Sequence, residues 1–213
     1  MINIKELYLL NLVLDKRDFF AVPDLKTVKM SPLLAENVCN SLIKKGILQN
    51  ADTFTKKGAA LVKCMSDYKS SVKYVKVGTL VIGIYEQNRG IALRYHPFMQ
   101  QYFFTRVQLD FSEEKLIEEY PFLAKENRGN AMPEQKITYD ELKADINFKY
   151  DSSVMLSSFE LEKANDNFKK AVKNQLLFYY EGNHYCFDFE SEMLSGSSAA
   201  SSIARLQESM VLV

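Results

Sequence analysis

YVKVGTLVIGIY, residues 74–85, decides the fold class. From Val72 to Tyr85 β-branched and aromatic residues dominate, and Val75, Val77, Thr79 and Val81 alternate as a strand requires. Gly78 and Gly83 interrupt the run and are expected to mark bulges. Asn88-Arg89-Gly90 reads as a hairpin connection, and Ile91–Tyr95 and Tyr102–Leu109 as the next two strands, broken at Pro97. An antiparallel meander therefore occupies the middle of the chain.

Upstream the period is helical. Leu7, Leu10, Val13 and Leu14 mark a helix over residues 4–14. Phe19, Phe20 and Val22 lead to Pro23, which holds the chain extended before it. A second helix starts with Ser31 as N-cap and Pro32 in its first turn. Leu34, Val38, Leu42 and Ile43 form its apolar stripe, and Gly46 stops it. Thr55 caps a third helix, with Leu61, Val62, Met65 and Tyr68 on its apolar side.

Downstream, Ser112 with Glu113 and Glu114 opens a helix where the dipole favours negative charge, and Pro121 kinks or ends it. Residues 127–137, NRGNAMPEQKI, have the weakest signal for regular structure. A short helix follows near Tyr139–Ile146, then a strand from Val154 to Leu161. Leu176–Tyr180 and Tyr185–Phe189 make a hairpin turning at Gly182-Asn183, and a helix from about Ser191 to Met210 closes the chain. Each half thus supplies a hairpin followed by a helix. The expected fold is α+β: a winged-helix-like helical start, an antiparallel sheet and a second, smaller α+β lobe. The expected domains are 1–126 and 138–213, with 127–137 as linker.

Composition limits function. Lysine plus arginine equals aspartate plus glutamate at 27 each, which argues against a protein built to coat nucleic acid or an anionic membrane. The charge is uneven, however: residues 1–74 carry twelve basic and seven acidic side chains. On the second helix the exposed positions would be Glu36, Asn37, Asn40, Ser41 and Lys44, without an arginine and with Glu36 turned toward phosphate charge. That pattern disfavours reading of duplex DNA. MINIKELYLL lacks the signal-peptide pattern, and no apolar run spans a membrane, so a cytosolic protein is expected.

No catalytic signature is present. Cys39, Cys64 and Cys186 are scattered, His96 and His184 are the only histidines, and no phosphate-binding, metalloprotease or nucleophile-elbow motif occurs. His184 and Cys186, two apart on one strand, share a face without a third orienting group. Glu113-Glu114 and Glu118-Glu119 read as solvated charge. No enzyme, cofactor or metal is expected.

Two features suit contact with another protein. Alternation sends Phe103 and Phe104 to opposite faces of the sheet, so one ring leaves the helix-covered face and is either covered by the second lobe or open to a partner. In SEMLSGSSAASSIARLQESMVLV, residues 191–213, small residues flank Ala200 and Ile203. That side of the helix packs on its own sheet or forms a seam with a partner or a second copy.

ELYLL, FFAVPDL, SLIKKGIL, FTKKGAALVKCMSDYKSS running into YVKVGTLVIGIY, and EEYPFL together resemble the EspG-like accessory proteins of type VII secretion, in particular the EsaE-like cytosolic chaperones. The resemblance covers roughly residues 4–123. It implies a two-lobed α+β fold with pseudo-twofold symmetry. It also implies cytosolic binding of a secretion substrate, a WXG- or LXG-type protein or toxin, and transfers no binding residue. The alternative is a winged-helix transcriptional regulator with a C-terminal dimerisation lobe.

Overall fold

The computed structural model describes residues 1–14, 18–109, 112–129, 132–146, 152–162, 167–168 and 173–210. They form an α+β fold. The chain divides into two compact units. The first holds the described residues within Met1–Tyr74 and Thr79–Gln108, the second those within Val75–Gly78, Leu109–Lys163 and Asn167–Val213. The division falls at Leu109 rather than at 127–137.

The first unit runs β1 (Ile2–Asn3), α1 (Ile4–Asn11), α2 (Pro32–Lys44), β2 (Leu48–Asn50), β3 (Thr53–Phe54), α3 (Lys56–Lys69), the start of β4 (Lys73–Val77), β5 (Leu80–Glu86), β6 (Arg89–His96) and β7 (Gln101–Gln108). The caps explain the helices. Asn3 accepts from Lys5 and Glu6 backbone N–H groups while the Glu6 carboxylate reaches back to the Asn3 N–H, a capping box. Ser31 Oγ takes the Leu34 N–H and Thr55 Oγ1 takes the Gly58 N–H. Gly46, at φ +65°, ends α2 as expected, since only a residue tolerant of the left-handed region fits there. The opening helix stops at Asn11, so Leu12 and Val13 fall beyond it and are exposed.

Glu6 ties the first two helices together. It is fully buried and accepts from Ser41 Oγ and Lys45 Nζ, both at 2.7 Å. Three hydrogen bonds to one carboxylate compensate its loss of water. The sheet order is β1-β7-β6-β5, antiparallel throughout, and α3 lies across β5, β6 and β7. Gly83 is not a bulge but a point of close approach. A Cβ there would sit 2.6 Å from Ser71 Oγ and 3.0 Å from the Tyr68 ring. Gly78, at φ +58°, turns the chain between β4 and β5, so the 72–85 run is two strands.

The second unit holds the rest of β4, α4 (Glu113–Glu119), a 3-10 turn at Pro121–Ala124, β8 (Gln135–Lys136), α5 (Tyr139–Asp145), β9 (Ser153–Glu162), β10 (Asn167–Phe168), β11 (Lys173–Tyr180), β12 (Asn183–Asp188), β13 (Met193–Ser197) and α6 (Ala199–Met210). Its strands order β9-β11-β12-β13-β8, with β10 on β9. Leu176, Phe178, Tyr185, Phe187 and Leu194 share one face with Leu142 and Ile146 of the α5 region. Ile203, Leu206 and Met210 bury one side of α6, and Arg205 of that helix reaches Gln175 of β11.

Two expectations change here. The closing helix begins at Ala199, because Met193–Ser197 pairs with β12 in register, Leu194 opposite Phe187 and Gly196 opposite Tyr185. Backbone pairing to a formed strand outweighs local helical spacing. The segment expected as linker is strapped down: Asn127 donates to the Ser197 carbonyl and accepts the His184 N–H, and Gln135–Lys136 forms β8.

Candidate functional site

Phe103 and Phe104 separate as alternation requires. Phe104 turns toward α3, where its ring meets Tyr68 at 5.5 Å and Phe19 at 5.8 Å. Phe103 turns to the other face. There it lines a trough of about 450 Å³ with Leu80, Ala92, Arg94, Thr105 and Val107. Register explains the shape: Arg94 stands opposite Leu80 on one side and Phe103 on the other, while Ala92 faces Thr105 and Gly90 faces Val107. Small side chains in the middle and large ones around them leave a depression. Arg94 is exposed and makes no hydrogen bond or ion pair to the described residues.

A group of exposed apolar side chains lies at the β6–β7 tip, where only a break at Pro97 is expected from sequence. Phe98 is 94% exposed, Met99 56% and Tyr95 44%. The tip is a built turn. Gln100 N–H donates to the Pro97 carbonyl at 3.3 Å, Gln100 takes φ +50°, and Met99 N–H donates to His96 Nδ1 at 3.4 Å. Tyr95 rests against Tyr102, ring centroids 4.9 Å apart. A turn normally carries polar or glycine residues, so Phe-Met after Pro97 was the available signal.

The C-terminal pair does not form a joint surface. Ile203 is buried at 5% exposure in the second unit's core, whereas Ala200 is exposed. The helix expected from about Ser191 starts only at Ala199, because Met193–Ser197 is strand. Ile203 is therefore buried within its own chain, and Ala200 alone of the pair is exposed.

Residues 1–211 match a family model described as Domain of unknown function (DUF5081). The chain belongs to the DUF5081 family. No curated protein matches it.

Elsewhere the described residues of this DUF5081 chain offer little reactive chemistry. Among the described residues no three His, Cys, Asp or Glu side chains gather where a metal ion would sit. Burial pushes the Cys186 thiol above its ordinary value, which keeps it protonated and unreactive. His184 donates from Nε2 to the Lys125 carbonyl at 2.7 Å, and its ring packs by Phe122 and Tyr179. The surroundings of both are those of packed side chains. Among the described residues no helix is long and apolar enough to cross a membrane.

Proposed function

We propose that this protein is a non-enzymatic cytosolic adaptor or chaperone that holds another protein, a helical type VII secretion substrate of the WXG or LXG type. One observation carries the reading: an ordered hairpin tip that presents Phe98 almost entirely to water beside Met99 and Tyr95. Leaving such a side chain exposed forgoes about 2 kcal/mol or more of burial. Clustered aromatic and methionine side chains on a preformed turn are the composition of protein-binding hot spots. The trough on Phe103 lies along the same hairpin and adds apolar area.

The helical start, with a two-stranded β2–β3 element between α2 and α3, is winged-helix-like in order. Its outward side chains on α2 include Leu33, Glu36, Asn37 and Asn40, a mixture that suits protein better than a phosphate backbone. The regulator alternative therefore ranks second.

Co-expression with WXG- and LXG-type proteins of the same cell, followed by size-exclusion chromatography, tests the proposal. A stoichiometric complex that Phe98→Ser abolishes, with the variant still folded, is expected. Absence of any complex, or one indifferent to Phe98→Ser and Met99→Ser together, overturns it.

A further inference from the structure

We propose that the groove floored by Phe104 is a separate binding site for an acidic amphipathic segment of a protein partner. It rests on the protein-holding reading above but on different residues. The groove, of about 520 Å³, lies between the start of α3 and the β1–β7 edge, entirely within the first unit. Ile47, Ala60, Leu61 and Phe104 make its apolar lining, and Lys45 and Lys57 its charged one. No carboxylate lines it.

The charge around it is not balanced from within. Glu6 is spent on Lys45 at 2.7 Å, and Asp67 on Lys63 and Arg106 at 2.6 and 3.3 Å. Lys57 donates to the Lys45 carbonyl at 2.9 Å, and neither it nor the adjacent Lys56 has a carboxylate partner among the described residues. An apolar floor with surplus ammonium groups beside it is complementary to a segment with leucine-like side chains on one stripe and carboxylates next to them. Ala59 and Ala60, exposed on α3, let a backbone come close.

A nucleic acid fits poorly. The Phe104 ring is engaged by Tyr68, edge to face at 81°, so it offers no free stacking platform, and no arginine lines the groove. Lysines alone would hold phosphates, but the aliphatic lining would go unused.

The probe is a short Leu/Glu amphipathic helical peptide carrying a fluorophore, titrated by anisotropy into the full chain. Its Leu/Lys counterpart, a short DNA duplex and oleate serve as competitors. Saturable binding to the Leu/Glu peptide alone is expected, weakened about tenfold by Lys57→Glu and abolished by Leu61→Asp. Lys57→Gln, which keeps a hydrogen-bond donor, should fall between and guards against a folding defect in Lys57→Glu, checked by circular dichroism. Phe98→Ser should leave peptide binding unchanged, which separates this site from the hairpin tip. Peptide binding that ignores both Lys57 variants overturns the proposal, as does stronger binding of duplex or oleate, or none at all. If the Phe98-dependent complex stands while the peptide does not bind, the groove alone is refuted.

Discussion

Phe103 and Phe104, neighbours in the chain, serve opposite faces of the β5–β7 meander: Phe104 closes an aromatic cluster with Phe19 and Tyr68, and Phe103 lines an open trough beside Arg94. Phe104 therefore packs against α3 while flooring the groove on that side, and Phe103 lines only the trough on the other. Phe104→Ala should cost about 2–3 kcal/mol in urea denaturation, somewhat below the usual loss for a fully buried phenylalanine. Phe103→Ser should cost less than about 1 kcal/mol and instead weaken the proposed complex with a protein partner. Equal losses of stability from the two would mean that the trough is part of the core.

Gly58 stands in the first turn of α3, where helix propensity alone recommends alanine. A Cβ at that position would meet the Ile47 carbonyl oxygen at 1.9 Å and the Phe54 ring at 3.1 Å. The same carbonyl accepts the Thr55 N–H at 3.1 Å, so it is held in place at the helix cap. Alanine gains about 1 kcal/mol of propensity and loses more to the forced separation of α3 from the Ile47 segment. Gly58→Ala is expected to lower stability by about 2 kcal/mol net, read as a fall in the urea midpoint at constant slope. A stabilised variant would show that the helix start shifts freely.

Much of this fold was legible because short-range chemistry agrees with tertiary packing. Ser31, Thr55 and Gly46 sit at the caps that their residue types predict, and the hairpin expected to turn at Gly182-Asn183 turns one residue earlier, at 181–182, with Asn183 paired to Tyr180. The misreadings come where the two levels differ. SEMLSGS looks helical by small-residue spacing, yet its backbone finds β12 on one side and β8 on the other. Phe98 and Met99 signalled only as apolar residues at the break after Pro97, and the hairpin geometry is what places both in water. The two lysines of the Phe104 groove likewise come from the end of α2 and the first turn of α3, which sequence spacing alone does not bring to one groove.

Ala200 and Ile203 provide a paired test of the C-terminal helix. Ala200 is exposed, so Ala200→Arg should change stability by less than about 0.5 kcal/mol. Ile203 packs in the second unit on the buried side of α6, and Ile203→Arg would bury an unpaired charge at a cost of about 4 kcal/mol. Chemical denaturation of both variants checks this. If Ala200→Arg converts an oligomer to a monomer in light scattering, α6 has an exposed seam even without Ile203.

His184 should make stability pH-dependent. The side chain is fully buried, and burial holds its pKa below the ordinary imidazole value. The hydrogen bond to the Lys125 carbonyl works the other way, and the Lys125 ammonium again opposes protonation. A carbonyl only accepts, so Nε2 carries the proton and Nδ1 is left as a buried nitrogen without a partner among the described residues. Adding a proton at Nδ1 would create a buried cation whose new N–H has no acceptor. The unfolded chain takes that proton near pH 6.5, whereas the folded one resists it to lower pH. Stability is therefore whole above about pH 7 and falls as pH drops through 6, with a slope approaching ~1.4 kcal/mol per pH unit, the limit for one proton. Carboxylates with lowered pKa, such as Asp140 and Glu141, act only in more acid solution. His184→Gln keeps a donor for the Lys125 carbonyl and cannot ionise, so its stability should be flat between pH 7 and 5. Urea denaturation of both proteins across that range decides the matter: parallel curves would place the pH sensitivity elsewhere, while a slope present only in the parent assigns it to this imidazole.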